Sequence, residues 1–244
     1  MSRGWFHKGS ALPMLLLCGC ASAALSPSPD AQPVPGLPGG TQADVAGVRV
    51  VAEVDAWPGD HRVLGRVQPV RVTIENRAAV AVRVRYDDFV LVAANGRRYP
   101  ALPPVRVEGE LFSPMLSMGF SPVGTPGFTY QRFYLAPYFA PLYPGVPVYR
   151  RRYLFYDPGY YAFWYTDFTR AVRPSVEVLA MALPEGVIEH DGRVTGFLYF
   201  RTVDPDAASV TFRARIVSIA DDAATLGGTV LGEAAIPFAV RKTR

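Results

Sequence analysis

The chain has 244 residues and carries 25 Lys and Arg against 21 Asp and Glu, a net charge of +4. Two of the cations, Arg3 and Lys8, belong to the amino-terminal stretch, so the remainder is close to neutral, and its arginines alternate with valines, as in residues 80–86. That pattern reads as solvated strand faces and not as a basic stripe for phosphates, which argues against a nucleic-acid partner. The two cysteines are Cys18 and Cys20, so the chain beyond them has no disulfide and must be held by a hydrophobic core.

At the amino terminus Arg3 and Lys8 precede an apolar run over residues 11–17 and then small residues around a cysteine, with no acid before Asp30. This is the order of parts in a secretory signal. Leu17-Cys18-Gly19-Cys20 resembles the lipobox of bacterial lipoproteins: Leu17 stands three positions before Cys20 and Gly19 immediately before it, while Cys18 departs from the family's usual small residue. The resemblance implies that residues 1–19 are removed as a signal peptide and that Cys20 becomes the acylated first residue. Two or more acyl chains hold a protein stably on a bilayer without spanning it. In the family, a residue other than aspartate after the cysteine, here Ala21, directs a Gram-negative lipoprotein to the outer membrane. An ordinary secretory signal cut near Ala21-Ser22-Ala23 is the alternative. No later segment offers the roughly 20 apolar residues of a transmembrane helix.

Residues 20–44 are rich in proline and glycine, with Pro27, Pro29, Pro33, Pro35, Pro38, Gly36, Gly39 and Gly40. Such a composition buries little and predicts a flexible tether, reaching roughly 25 Å as a coil and about 75 Å as polyproline. From residue 45 the pattern predicts a β-domain. Val48, Val50, Ala52 and Val54 alternate with Arg49 and Glu53; Val70, Val72 and Ile74 alternate with Arg71, Thr73 and Glu75; Val80, Val82, Val84 and Tyr86 alternate with Arg83 and Arg85. Residues 89–93 lead into Asn95-Gly96, a pair suited to a type I′ hairpin.

After residue 172 alternation resumes, with Val176, Val178, Ala180 and Ala182 as a strand face. Breaks are predicted at Leu183-Pro184-Glu185-Gly186 and at Asp191-Gly192, and strands at residues 194–200, 210–216 and 229–240, with Pro237 marking an edge or bulge. No amphipathic helix is predicted. Nine strand-like segments with closely spaced turns predict an all-β chain folded as an immunoglobulin-like antiparallel β-sandwich over residues 45–244, interrupted by an aromatic and proline-rich insertion at 105–171. Residues 70–76, 89–92, 96–99 and 196–200 resemble the telokin-like, immunoglobulin-like domains of bacterial lipoproteins. That resemblance spans about half the chain and implies architecture but no activity.

Residues 112–168 hold 19 of the chain's aromatic residues but only two acids, Asp157 and Asp167. The part up to Pro147 is expected to be loops packed by rings, and residues 149–168 a hairpin turning at Asp157-Pro158-Gly159. Three uses are open: a satellite core covering the sandwich, a surface for an envelope protein partner, since Tyr, Trp and Arg dominate binding hot spots, or stacking on glycan rings such as those of peptidoglycan or lipopolysaccharide. The candidate interaction residues are Tyr149, Tyr153, Phe155, Tyr160, Tyr161, Trp164 and Tyr165.

No catalytic or cofactor motif is visible. There is no nucleophile elbow, phosphate loop or zinc-protease motif. Glu189-His190-Asp191 places adjacent side chains on opposite faces of an extended segment, which does not converge on a metal. The sequence thus points to a lipid-anchored, non-catalytic envelope protein without cofactor or metal, contacting the bilayer through Cys20; an enzyme with an unrecognised site is the remaining alternative.

Overall fold

A computed structural model describes residues 22–107, 127–150, 160, 176–219 and 228–243. These residues form an all-β fold of antiparallel strands in one curled sheet. In chain order the strands are β1 (Ser22–Pro27), β2 (Gln32–Pro33), β3 (Gly40–Val45), β4 (Val48–Glu53), β5 (Val67–Asn76), β6 (Val82–Val84), β7 (Phe89–Ala93), β8 (Arg98–Pro100), β9 (Thr129–Leu135), β10 (Gly186–Arg201), β11 (Ser209–Ser218) and β12 (Thr229–Thr243). The main path runs β1-β12-β11-β6-β10-β5-β4-β3-β2, with β7 on β11, β8 on β7, and β9 on β10.

β6 joins the two halves of the sheet. Val82 faces Ile188 of β10 on one side and Ser218 of β11 on the other. The corner that delivers the chain from β5 to β6 is closed by the buried Asn76, whose amide donates to Val80 O and Ile188 O and whose Oδ1 accepts from Ala78 N. One core takes residues from both halves: Val50, Val70, Val72 and Ile74 from one, Leu91, Phe212, Ile236 and Phe238 from the other. Alternation in β5 and β11 follows the sequence, with Val70, Val72, Ile74, Val210, Phe212, Ala214 and Ile216 all inside. Pro237 lies just where pairing of β12 with β1 ends, so its missing N–H leaves the β1 ladder intact.

Five expectations are corrected. The described part of the supposed tether is folded: β1 pairs along its whole length with β12, β3 pairs with β4, and Leu25 is buried. Composition misled because these strands are held by backbone pairing, while Gly36 and Gly39 take the positive φ of tight turns. Folded structure is therefore already present from residue 22, ahead of the boundary expected at 45. The type I′ turn falls at Ala46-Gly47, both at positive φ, between β3 and β4. At the other hairpin only Gly96 has positive φ; Gly96 N donates to Ala93 O and Ala93 N to Arg97 O, the three-residue loop with a glycine bulge.

Residues 176–182 are not a strand. Val176–Met181 is a short helix, α1, because packing Val178, Leu179 and Ala182 inside requires helical spacing. Arg83 and Arg85 are buried and not solvated. Finally, β10 starts at the predicted break, at Gly186, and continues through Asp191-Gly192 by a bulge between Ile188 and Arg193 with Asp191 at positive φ.

Candidate functional site

The most unusual chemistry among the described residues lies where β6, β9 and β10 meet. Between β6 and β7 the chain leaves the ladder for the single 3-10 turn Tyr86–Asp88, so the backbone N–H of Tyr86 needs a partner outside the sheet. Glu185, the residue before β10, supplies it: its Oε1 accepts from Tyr86 N at 2.9 Å. The same oxygen accepts a very short hydrogen bond from the Tyr160 hydroxyl. Glu185 is wholly buried, its backbone carbonyl accepts from Ala136 N at 2.9 Å, and its Oε2 has no hydrogen-bond partner.

Above this carboxyl the Arg85 guanidinium lies 3.8 Å from the centre of the Tyr160 ring, within reach of a cation–π interaction, and Arg85 Nε stands 3.4 Å from Asp87. Burial is the main influence on Glu185 and raises its pKa to about 7, against the opposing pull of the Tyr160 and Tyr86 hydrogen bonds and of Arg85. Burial, with the adjacent Glu185 carboxyl, also raises Tyr160 far above the usual phenol range. The group therefore changes charge near neutral pH, inside the fold. Gly186 lets β9 lie close against the start of β10 beside this site, because a Cβ there would meet Tyr134 O at 2.2 Å.

A second buried carboxylate lies at the other end of the same turn. Asp88 is held by Arg83 Nη2 at 3.0 Å and Arg215 Nη2 at 2.7 Å. Its pKa is still raised, by burial first, with both guanidiniums opposing.

The aromatic segment packs onto this region. Phe128, Phe133, Phe139 and Tyr143 are buried in the main core, and β9 makes a strand of what the sequence presents as loop. Tyr86 and Phe139 meet edge-on at 6.0 Å, as do Phe128 and Tyr143 at 5.4 Å. Tyr143 and Tyr199 hydroxyls donate to α1 carbonyls, Leu179 O and Val178 O. Of the predicted interaction residues, Tyr149 is half-buried and adds to β9 through Tyr149 N to Leu135 O, and Tyr160 is half-buried on Glu185. The structure thus brings these two to the β9 side of the domain. Tyr153, Phe155, Tyr161, Trp164, Tyr165 and Cys20 lie outside the described residues, as does the rest of the proposed 149–168 hairpin. Tyr130, Tyr138 and Val148 form the exposed rim of the segment.

Glu185, Arg85 and Tyr86 escape the sequence reading because Glu185 looks like part of a turn and Arg85 like a solvated position. One signal was available: Glu185 is the only charged residue between 178 and 188, in an otherwise apolar run. A lone carboxylate in such surroundings is either at the surface or buried with partners.

His190 is half-exposed, with Nδ1 2.8 Å from Ala78 O and Nε2 3.2 Å from Asp191. Among the described residues no group of His, Cys, Asp and Glu could hold a metal ion, and no helix is long and apolar enough to cross a membrane. No family model, curated protein or solved structure matches this chain.

Proposed function

We propose that this chain is a lipid-anchored protein of a bacterial cell envelope, most simply at the outer membrane, whose domain is a non-catalytic, immunoglobulin-like β-sandwich used for interaction with another envelope protein. The observation that carries the proposal is the adjacency of Leu17-Cys18-Gly19-Cys20 to β1, which begins at Ser22 and is integral to the sheet. An acyl group on Cys20 would then hold the folded domain directly at the bilayer, with no spacer between them. A sandwich is supported by the single core that takes residues from the strands on both sides of β6. An interaction role is supported by Tyr130, Tyr138 and Val148, the exposed large hydrophobic residues of the aromatic segment's described part.

Two measurements test this. Mass spectrometry of the native protein should find Cys20 acylated at the amino terminus, and Cys20→Ser should move the protein from the detergent phase to the aqueous phase. An unmodified Cys20 would end the anchor proposal. For the interaction role, photocrosslinking from position 138 should capture one envelope protein reproducibly, and capture should be lost with Tyr130→Ala plus Tyr138→Ala; a folded double variant that captures the same protein equally well would refute it.

A further inference from the structure

Several segments converge at the end of the domain where β1 starts. The β1–β12 register sets Ser22 opposite Thr243, Ala23 opposite Lys242 and Ala24 opposite Arg241. Val240 N donates to Ala208 O and Ala94 N to Ser209 O, which brings the 204–208 turn and the β7–β8 loop to this end. Leu102 N donates to Tyr199 O at 2.7 Å, drawing in the last residues of β10, Arg201 among them. Exposed Arg97, Arg98, Arg201, Arg241 and Lys242 therefore share one end of the fold. Of the acids at this end, Asp60 pairs with Arg62, Asp204 with Arg97 and Asp206 with Lys242, and the exposed Asp55 has no ion pair among the described residues. Among the described residues no ion pair engages Arg98, Arg201 or Arg241.

We infer that this end is a second membrane contact, a cationic rim around the point where Cys20 joins the domain, which engages the phosphates of anionic phospholipids. Its orientation rests on the anchor proposal. Cys20 lies two residues before Ser22, a reach of about 7 Å. That is within the Debye length of roughly 8 Å at physiological ionic strength, so the start of β1 lies within the surface potential of the bilayer, which attracts the cations of this end. Charge complementarity selects the occupant: a net positive end facing a lipid surface, on a chain that is otherwise nearly neutral. The acyl chains supply attachment and the rim supplies orientation, seating the domain with β1 and the carboxyl end of β12 toward the head groups and the corner at Asn76 away from them.

The test uses the mature chain with Cys20→Ser, unacylated, sedimented with vesicles of equal parts phosphatidylcholine and phosphatidylglycerol, or of phosphatidylcholine alone. The protein should bind the mixed vesicles and be released by salt. Combining Arg98→Gln, Arg201→Gln and Arg241→Gln should weaken that binding about 100-fold, roughly fivefold per cation. Arg77→Gln with Arg193→Gln, at the opposite end, should leave it unchanged. Equal binding to both vesicle types, or equal loss in both variants, overturns the inference. Acylated Cys20 in native material together with charge-independent vesicle binding would remove this inference and leave the anchor standing. Unmodified Cys20 with charge-dependent binding would do the reverse.

Discussion

Asp88 and Glu185 are two carboxylates withdrawn from water around one short turn, and their surroundings differ in one respect. Asp88 faces two guanidiniums, from Arg83 and Arg215, whereas Glu185 is met by a backbone amide and a phenol, with Arg85 stacked on the phenol ring. Burial raises both pKa values. Direct ion pairing restrains the rise at Asp88; hydrogen bonds from neutral donors leave Glu185 at about 7. Neutral donors can satisfy a buried carboxyl without fixing its charge, whereas paired cations fix the charge and make each partner depend on the other.

The largest break is at Asp88. Asp88→Ala leaves Arg83, itself buried, without its counter-charge, and removing one partner of a buried pair costs about 3–5 kcal/mol. Urea unfolding at neutral pH should show that loss, and Asp88→Asn should lose less because its amide oxygen still accepts. An Asp88→Ala variant as stable as the parent would mean that the pair is solvated and not structural.

Glu185 sharpens the contrast through pH. Its folded pKa of about 7 lies above the ordinary 4.5, so the folded state holds the extra proton between these values. Stability from this group is then full at pH below 4.5 and declines as pH rises through 7, by on the order of 3 kcal/mol. Glu185→Gln keeps an oxygen for Tyr86 N and the Tyr160 hydroxyl but cannot ionise. It should be more stable than the parent at alkaline pH, match it in acid, and flatten the decline between. If urea midpoints of parent and variant run parallel from acid to alkaline pH, the proton is not where the geometry puts it.

What the sequence displays and what it hides divides along the same physical line. β4, β5, β7, β11 and β12 are legible because one face is buried, and burial of one face writes alternation into the residues. β1 and β3 are hidden because their stability comes from backbone pairing with β12 and β4, and backbone bonds leave little mark on side-chain choice. The helix α1 is hidden because six residues are too few to separate a period of two from one of 3.6. The site is hidden because Glu185, Arg85, Tyr86 and Tyr160 come from distant parts of the chain. The type I′ turn at Ala46-Gly47 is missed since Ala carries no turn signal, and the tertiary pairing of β3 with β4 imposes the positive φ.

The smallest effect falls on Tyr160, where the contrast can be adjusted and not broken. Its hydrogen bond lowers the Glu185 pKa against the larger effect of burial. Tyr160→Phe keeps the ring under Arg85 and removes only the hydroxyl, so the cation–π contact survives while Glu185 Oε1 loses one donor. The stability lost near neutral pH should be about 1 kcal/mol, that of one buried hydrogen bond. The direction at Glu185 is the sharper readout: with a donor to the charged form removed, its carboxyl should titrate at higher pH than in the parent. Carboxyl carbon NMR, with the resonance assigned by its absence in Glu185→Gln, reads that shift directly. A titration that moves down, or does not move, would show that the phenol donates elsewhere and that Glu185 is restrained by Arg85, making it a weaker copy of Asp88 and not its opposite.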